Sequence, residues 1–264
     1  MRIKLGISTC PNDTYIFAPI INNYVKHELE LKIILDDVEL LNNLAIQNKL
    51  DIVKVSYGVV EKVVDNYKIL KAGGALGFGC GPIVVSKNHS TIDELKYKKI
   101  GIPGKNTSAF KIYKHFFSDM ENTFIEMRFD EIMPAINKDE IDAGIVIHEG
   151  RFVYRSYGLK KIVDLGDLWE QKHQTPIPLG CILISKKIEN LSKYFCDLIR
   201  DSINFSKNNY NNVFPFIKKY AQELDDEIIK KHIELFVNEY SLDVSKYVNV
   251  LSNFIGTKES IFAK

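Results

Sequence analysis

The fold is decided by residues 141–152, which run Ile141-Asp142-Ala143-Gly144-Ile145-Val146-Ile147-His148-Glu149-Gly150-Arg151-Phe152. Five consecutive small or apolar residues, Ala143 to Ile147, predict a fully buried strand in a parallel sheet. In such sheets the loops that leave the carboxyl ends of the strands line the ligand crevice. His148 follows the strand directly and therefore stands where a ligand is expected. A lone histidine is more often structural, so the neighbouring segments must decide between the two interpretations.

Strand and helix patterns alternate on both sides of this stretch. Strands are expected at 3–8, 31–35, 51–55, 83–85, 99–102, 124–129, 159–164 and 181–185. Helices are expected at 15–25, 38–48, 57–65, 109–118, 131–138 and 151–157, and periodic apolar positions predict only helices from Leu191 onward. This alternation predicts βαβ units and an α/β fold with mainly parallel sheets.

Two segments rich in glycine or proline divide the chain. The first, Gly73–Pro82, leads into a strand instead of opening a helix, so it does not match a dinucleotide-binding loop. The second, Thr175–Gly180, is a stiff connector. We therefore expect two lobes, one from residues 1–82 plus 179–264 and one from residues 83–178. A cleft between two lobes is a preferred place for a small ligand.

The composition narrows the class of protein. Hydrophobic residues make up 45% of the 264 residues and charged residues 26%, which is typical of a soluble globular protein. A net charge of +1 offers no electrostatic reason to expect nucleic acid or an anionic membrane as a partner. The amino terminus lacks the pattern of a secretory signal, so a cytoplasmic location is expected. Four scattered cysteines and six histidines without i, i+4 spacing predict no metal site.

A second candidate site lies in the loop Pro103–Ser108. The Gly104-Lys105 pair suggests a P-loop, but Lys99 and Asn106 stand where that motif needs glycine and serine or threonine. What remains is a glycine loop that feeds a helix beginning near Thr107 and Ser108, with two hydroxyl groups and the positive end of a helix dipole. This arrangement suits a carboxylate or another small anion. A plain helix cap explains the segment equally well.

Seven segments occur together in an order that is specific to one enzyme family. They are Ser8–Thr14, Lys54–Tyr57, Gly73–Pro82, Pro103–Ala109, Ile147–Phe152, Pro178–Gly180 and Asn238–Asp243. The chain resembles, over nearly its whole length, the enzymes that make 1,4-dihydroxy-6-naphthoate in the futalosine route to menaquinone. The resemblance implies a fold like the type II periplasmic binding proteins. It also implies a lyase that splits cyclic de-hypoxanthine futalosine into the naphthoate and dihydroxyacetone without a cofactor.

The resemblance also implies roles for individual residues. His148 matches the family's proton acceptor, and the substrate-binding segments match Lys54, Val55 and Ser56 and Thr107, Ser108 and Ala109. Asn12 and Asp13 are further candidates for the cleft, and Lys54 has the alternative of a buried lysine with a carboxylate partner. Ser108 stands where threonine is expected and keeps the hydroxyl, whereas Gly150 stands where serine is common.

Two alternative functions share the fold. The first is the chorismate dehydratase of the same pathway, against which the His148 motif and the Cys10–Asp13 loop argue. The second is the solute-binding protein of a transporter, against which the missing signal and a histidine aimed at the cleft argue. The expected partner is a small-molecule carboxylate substrate.

Overall fold

The computed structural model describes residues 2–221 and 225–263. Its strands are β1 (Arg2–Ser8), β2 (Glu30–Asp36), β3 (Ile52–Ser56), β4 (Tyr67–Ile69), β5 (Ala75–Gly77), β6 (Ile83–Ser86), β7 (Lys99–Ile102), β8 (Thr123–Glu126), β9 (Ala143–Val146), β10 (Lys160–Asp164) and β11 (Ile177–Ser185). Its α-helices are α1 (Pro11–Ile21), α2 (Val38–Ile46), α3 (Ser108–Phe116), α4 (Ile132–Asn137), α5 (Gly150–Val153), α6 (Leu165–His173), α7 (Ser192–Asn208), α8 (Tyr210–Tyr220), α9 (Asp226–Phe236), α10 (Glu239–Leu242) and α11 (Val248–Ile255).

The chain forms two compact units. Unit 1 consists of Met1–Gly77 and Pro178–Lys264, and unit 2 consists of Phe78–Ile177. The bounds expected from the sequence, 1–82 plus 179–264 and 83–178, differ from these by at most five residues. None of the helices in the described ranges, 2–221 and 225–263, has the length and apolar character needed to cross a membrane.

The sheet of unit 1 is mixed. Its order is β2-β1-β3-β11-β4, with β5 paired to β11. Strands β2, β1 and β3 run parallel, whereas β11 runs antiparallel to both β3 and β4. The sequence predicted mainly parallel sheets, but β11 is the strand by which the chain enters this sheet from unit 2, and it enters in the opposite direction.

The sheet of unit 2 repeats this arrangement. Its order is β10-β6-β9-β7-β8, in which β8, β7 and β9 run parallel while β6 is antiparallel to β9 and to β10. In both units, therefore, the first of three parallel strands lies in the middle of the three. Strand β6 is the first strand after the chain enters unit 2, and β11 is the first after it returns to unit 1. Each lies beside the last of the three parallel strands.

The two faces of the unit 1 sheet bury separate apolar clusters. Side chains of β11 alternate between them, because Ile182 and Ile184 join one cluster while Leu183 joins the other. This alternation follows from the two-residue period of a strand. The first cluster packs beneath α1 and the helices α7, α8 and α9, which return from the end of the chain to cover it. Unit 2 has its own cluster, centred on Ile132 and Ile136.

Several elements differ from the sequence-based expectation, among them the helix expected at 57–65, which is a 3₁₀ helix at Tyr57–Lys62, and the unexpected strand β4. Helix α1 begins at Pro11 rather than Tyr15, because Cys10 takes the N-cap position and proline suits the first helical residue. The glycine-rich segment contains the short strand β5, which pairs with β11. Helix α6 was not expected at all, although Asp164 is a strong cap that accepts hydrogen bonds from the backbone N–H groups of Gly166 and Asp167.

The chain passes very close to the start of α6 where it enters unit 2. A Cβ atom added at Gly81 would lie 2.3 Å from both the Cα and the N of Gly166. The backbone N–H of Leu165 also donates a hydrogen bond to the carbonyl of Pro82 at 2.9 Å. Because the obstructing atoms belong to the backbone, they cannot rotate away as a side chain would.

We expect the replacement Gly81→Ala to lower the free energy of unfolding by about 3 kcal/mol, the upper part of the range for overpacking. Gly79→Ala is the matched control, because a Cβ there points into open space and only the positive φ of 66° opposes it. The control should cost about 1–2 kcal/mol. Urea titrations of both variants measure the difference, and equal costs would contradict the close backbone contact.

Candidate active site

The loops that carry Thr107 and His148 leave the same edge of the unit 2 sheet. Thr107 follows β7 and His148 follows β9, and these two parallel strands are neighbours. The chain runs from β7 to β8 on one side of β7 and then to β9 on its other side, so β7 and β9 flank the topological switch point. Ligands of open α/β sheets bind outside the carboxyl ends of the strands at such a point. Thr107 and His148 therefore lie on neighbouring loops at one edge of one sheet.

His148 has a left-handed backbone. Its φ is +54°. Positive φ values are uncommon outside glycine, and a residue keeps such a backbone only where its surroundings hold it. The strand ends at Val146, one residue earlier than expected, and residues 148 and 149 form a turn before α5. The half-buried imidazole packs edge-to-face against the ring of Phe129, with ring centroids 5.0 Å apart. The histidine is thus fixed by its turn and by one buried aromatic neighbour.

An ion pair anchors the turn that follows His148. The guanidinium of Arg151 donates to the carbonyl of Gly81 and to the carboxylate of Asp164 at 3.2 Å. The side chains of Arg151 and Asp164 are 14% and 4% exposed, so solvent screens this pair little. Arg151 therefore ties the turn to the entering chain and to the start of α6.

Glu149 directly precedes α5, and from the sequence its possible roles are to orient His148 or to cap this helix, of which the cap is favoured. Its backbone is helical, with φ of −62° and ψ of −23°, whereas an N-cap residue has a non-helical backbone. The side chain is buried at 6% exposure. Glu149 therefore belongs to the interior of the turn and not to a cap.

Cys80 lies in the same neighbourhood, next to Gly81. Burial raises the pKa of its thiol to about 12, and the nearby Arg151 lowers it only in part. The group is therefore a neutral thiol near pH 7, and a thiol is a far weaker nucleophile than a thiolate. The titratable group suited to proton transfer in this region is the His148 imidazole.

Thr107 caps α3, as the interpretation of this segment as a plain helix cap predicted. Its hydroxyl accepts from the backbone N–H of Phe110 at 3.2 Å and donates to the carbonyl of Gly104 at 2.7 Å. Gly104 has a φ of 141°, in the region that favours glycine, and turns the loop back toward the helix. Ser108 and Ala109 form the buried first turn, where backbone N–H groups lack acceptors within the helix. Capping and anion binding are compatible, because they use different groups.

Unit 1 carries a buried polar network at the corresponding edge of its sheet. The carboxylate of Asp13 accepts from Lys54 at 2.6 Å, from the hydroxyl of Ser8 at 2.6 Å and from the amide of Asn12 at 2.9 Å. Lys54 also donates to the carbonyl of Gly73 at 3.3 Å. Ser8 ends β1 and Lys54 lies on β3, which are the two strands beside the switch point of this sheet. The alternative of a buried lysine with a carboxylate partner thus describes Lys54 in this structure.

One long-range contact extends this network. The Nε2 atom of His232, a fully buried residue of α9, lies 3.0 Å from the amide oxygen of Asn12. The backbone N–H of Ser56 donates to Asn42 at 2.9 Å. Val55, between Lys54 and Ser56, points into the second apolar cluster and is fully buried.

Over the described parts of the chain, residues 2–221 and 225–263, no three His, Cys, Asp or Glu side chains are grouped so as to hold a metal ion. The candidate residues form two sets, one in each unit. Asn12, Asp13 and Lys54 meet in unit 1, and Thr107, Ser108 and His148 lie at one sheet edge in unit 2. Sequence reasoning missed Phe129 and His232, whose partners lie far away along the chain. It also missed Asp164, which has a local signal as the cap of α6.

Known proteins resemble this chain both in sequence and in fold. A family described as menaquinone biosynthesis matches residues 3–254. A 1,4-dihydroxy-6-naphthoate synthase of Thermus thermophilus is 36% identical over 245 residues, covering 92% of this chain and 89% of the relative. A synthase of the same name from Streptomyces coelicolor is 33% identical over 250 residues, covering 92% and 88%.

Solved structures show the same fold. A protein of Archaeoglobus fulgidus superposes with a TM-score of 0.90 at 31% identity, covering 97% of this chain and 95% of that one. The periplasmic aliphatic sulphonate binding protein of Escherichia coli has a TM-score of 0.67 at 8% identity, covering 97% and 85%. The expected two-unit α/β fold of the periplasmic binding proteins is therefore confirmed.

The buried ion pair in unit 1 generates a prediction about stability. Replacing Lys54 by methionine leaves the Asp13 carboxylate buried without its cation, so we expect the free energy of unfolding to fall by about 3–5 kcal/mol. Lys193→Met is the control, because its partner Asp197 is half exposed and the pair is worth at most about 1 kcal/mol. Denaturant titrations at pH 7 compare the two, and a loss at Lys54 as small as that at Lys193 would contradict this account.

Proposed function

This chain belongs to the menaquinone biosynthesis family, and we propose that it is a carbon–carbon lyase that forms 1,4-dihydroxy-6-naphthoate. The likeness to two synthases of that name, each over more than nine-tenths of this chain, carries the proposal. The proposed substrate is cyclic de-hypoxanthine futalosine, and the second product is dihydroxyacetone. The proposed setting is cytoplasmic.

His148 is the proposed general base. The reaction breaks a carbon–carbon bond beside a polarised carbonyl and leaves an aromatic ring, so aromatisation supplies the driving force. One well-placed base is then enough to start it by taking an acidic proton. Imidazole titrates near neutral pH and suits this task. The support for His148 is its place at the switch point of the unit 2 sheet and its constrained backbone.

The first turn of α3 is the proposed carboxylate site. The N–H groups around Ser108 and Ala109 and the positive end of the helix dipole favour an anion without a bulky counter-charge. The support is the position of this turn beside β9, the strand that leads to His148. An anchored carboxylate would hold the rest of the substrate at the edge of the sheet where the base lies.

For Lys54, Val55 and Ser56 we propose two different roles, support of the strand end and contact with the ligand. Lys54 is paired with Asp13 and Val55 is buried in the core, so their proposed role is to hold the carboxyl end of β3 in place. Ser56 ends that strand and is the member of the set best placed to offer a hydroxyl group to a ligand. Asn12 and Asp13 are buried partners of Lys54, since the Asp13 carboxylate accepts from both Lys54 and Asn12.

The activity is tested by incubating the purified protein with the cyclic substrate and measuring 1,4-dihydroxy-6-naphthoate by mass spectrometry. Chorismate is the comparison substrate, since the related dehydratase would consume it. Formation of the naphthoate with chorismate unchanged supports the lyase. Consumption of chorismate, or binding of the cyclic compound without turnover, would contradict it in favour of the dehydratase or a solute-binding protein respectively.

We expect His148→Asn to lower kcat by about 10²–10⁴-fold, the usual contribution of general base catalysis. Asparagine is enriched among non-glycine residues with left-handed backbones, so the turn should keep its shape and KM should stay within a few-fold. Steady-state kinetics measure both constants. His89→Asn, at a half-buried histidine of the same unit that lies beside Glu94, should leave both unchanged. Near wild-type turnover in His148→Asn would make His148 a structural residue.

We expect Ser108→Ala to weaken binding of 1,4-dihydroxy-6-naphthoate by about 0.5–2 kcal/mol, the range for losing one hydrogen bond. Calorimetric titration measures the change in affinity. The control ligand is 1,4-dihydroxynaphthalene, which lacks the carboxylate and should bind the variant and the unaltered protein equally. An equal loss for both ligands would show that Ser108 acts on packing and not on the carboxylate.

A further inference from the structure

Two histidines that are 58 positions apart in the sequence meet in unit 2. His115 lies in the last turn of α3 and His173 in the last turn of α6. Their Nε2 atoms are 3.2 Å apart. The spacing of histidines along the chain predicted no metal site, because the pair exists only where these two helices pack together.

We propose that His115 and His173 bind one zinc ion through their Nε2 atoms, with water completing the coordination. Zinc–nitrogen bonds of 2.0–2.1 Å at a tetrahedral angle place two ligand nitrogens about 3.3 Å apart. The two Nε2 atoms are hydrogen-bonded to each other at 3.2 Å, close to that separation, and zinc would take the place of the proton between them. This inference is independent of the function proposed above.

The rings are held in place by aromatic neighbours. The ring centroid of His173 lies 4.1 Å from that of Trp169, and the ring of His115 meets Phe116 edge-on at 4.9 Å. Preformed orientation favours a metal site because the ligands lose little freedom on binding. Both histidines also lie at helix carboxyl ends, where the macrodipole favours a cation.

Lys172 is the competitor for this site. Its ammonium group lies 3.0 Å from the Nε2 atom of His115 and occupies the lone pair that a metal would use. Lys172 is exposed and its long side chain can swing into solvent. Zinc must displace it and tolerate its charge, so the lysine lowers affinity without blocking the site.

The site would join the far ends of two helices whose starts lie at the candidate active site. Helix α3 begins at the proposed carboxylate site, and α6 begins at Asp164, the partner of Arg151. Strands β7 and β10 precede these helices and end at the same edge of the sheet. A bound zinc ion would therefore brace the packing of α3 on α6.

The test is a titration of the tag-free protein with zinc chloride, followed by calorimetry and by tryptophan fluorescence. Trp169 is the single tryptophan of the chain and lies against His173, so its emission reports on this site alone. We expect one zinc per chain and a saturable change in emission. His115→Gln and His173→Gln should each weaken binding at least about tenfold, since even indirect partners of a metal contribute that much.

Two further variants sharpen the result. Lys172→Met should tighten zinc binding by roughly two- to fivefold, the range for one screened surface charge. His27→Gln, at a half-buried histidine of unit 1, should leave it unchanged. Retention of zinc affinity in either His115→Gln or His173→Gln would overturn the proposal, as would the absence of a saturable change in Trp169 emission in the unaltered protein. Unchanged or weaker binding in Lys172→Met would overturn the role of that lysine as competitor.

Discussion

The order of three parallel strands constrains everything that follows in both units. Each sheet places the first of the three in the middle, so the chain leaves it toward one side and comes back on the other. The loops that follow the middle strand and the last of the three strands therefore leave in opposite directions, which opens a gap at the carboxyl edge of the sheet. In unit 2 this gap is bordered by the turn of His148 and by the start of α3. In unit 1 the same position holds the Asp13–Lys54 pair, filled by the protein's own charges.

The two units use the same edge in different ways. In unit 1 the polar groups satisfy one another: three side chains donate to one carboxylate, and a buried histidine of a distant helix extends the chain of contacts. Such a network rigidifies its surroundings because every member depends on the next. In unit 2 the half-buried His148 sits on a turn that is held from outside, by Phe129 on its ring and by Arg151 behind it. Such a support suits the role of general base that is proposed for His148.

The sequence allowed the fold to be predicted because apolar runs and capping residues act locally. The strand that ends at Val146 and the cap at Thr107 were both within reach of such patterns. The unexpected helix α6 had a local signal in Asp164, but the aromatic and charged residues after it hide the apolar period. What no local pattern could show is how distant segments meet. His232 reaches Asn12 across 220 positions, and the backbone angle of His148 depends on the turn as a whole.

The contact between Gly81 and Gly166 limits how this protein can change. When a side chain outgrows its place in a core, a neighbour can usually shrink to make room, and the pair drifts together over generations. Here neither partner has anything to give up, because both are already the smallest residue and the obstructing atoms are backbone. A genetic suppressor of a larger residue at one position is therefore not available at the other. Where the chain enters unit 2, a larger residue at one of these positions cannot be compensated by a smaller one at the other, so both glycines must be kept.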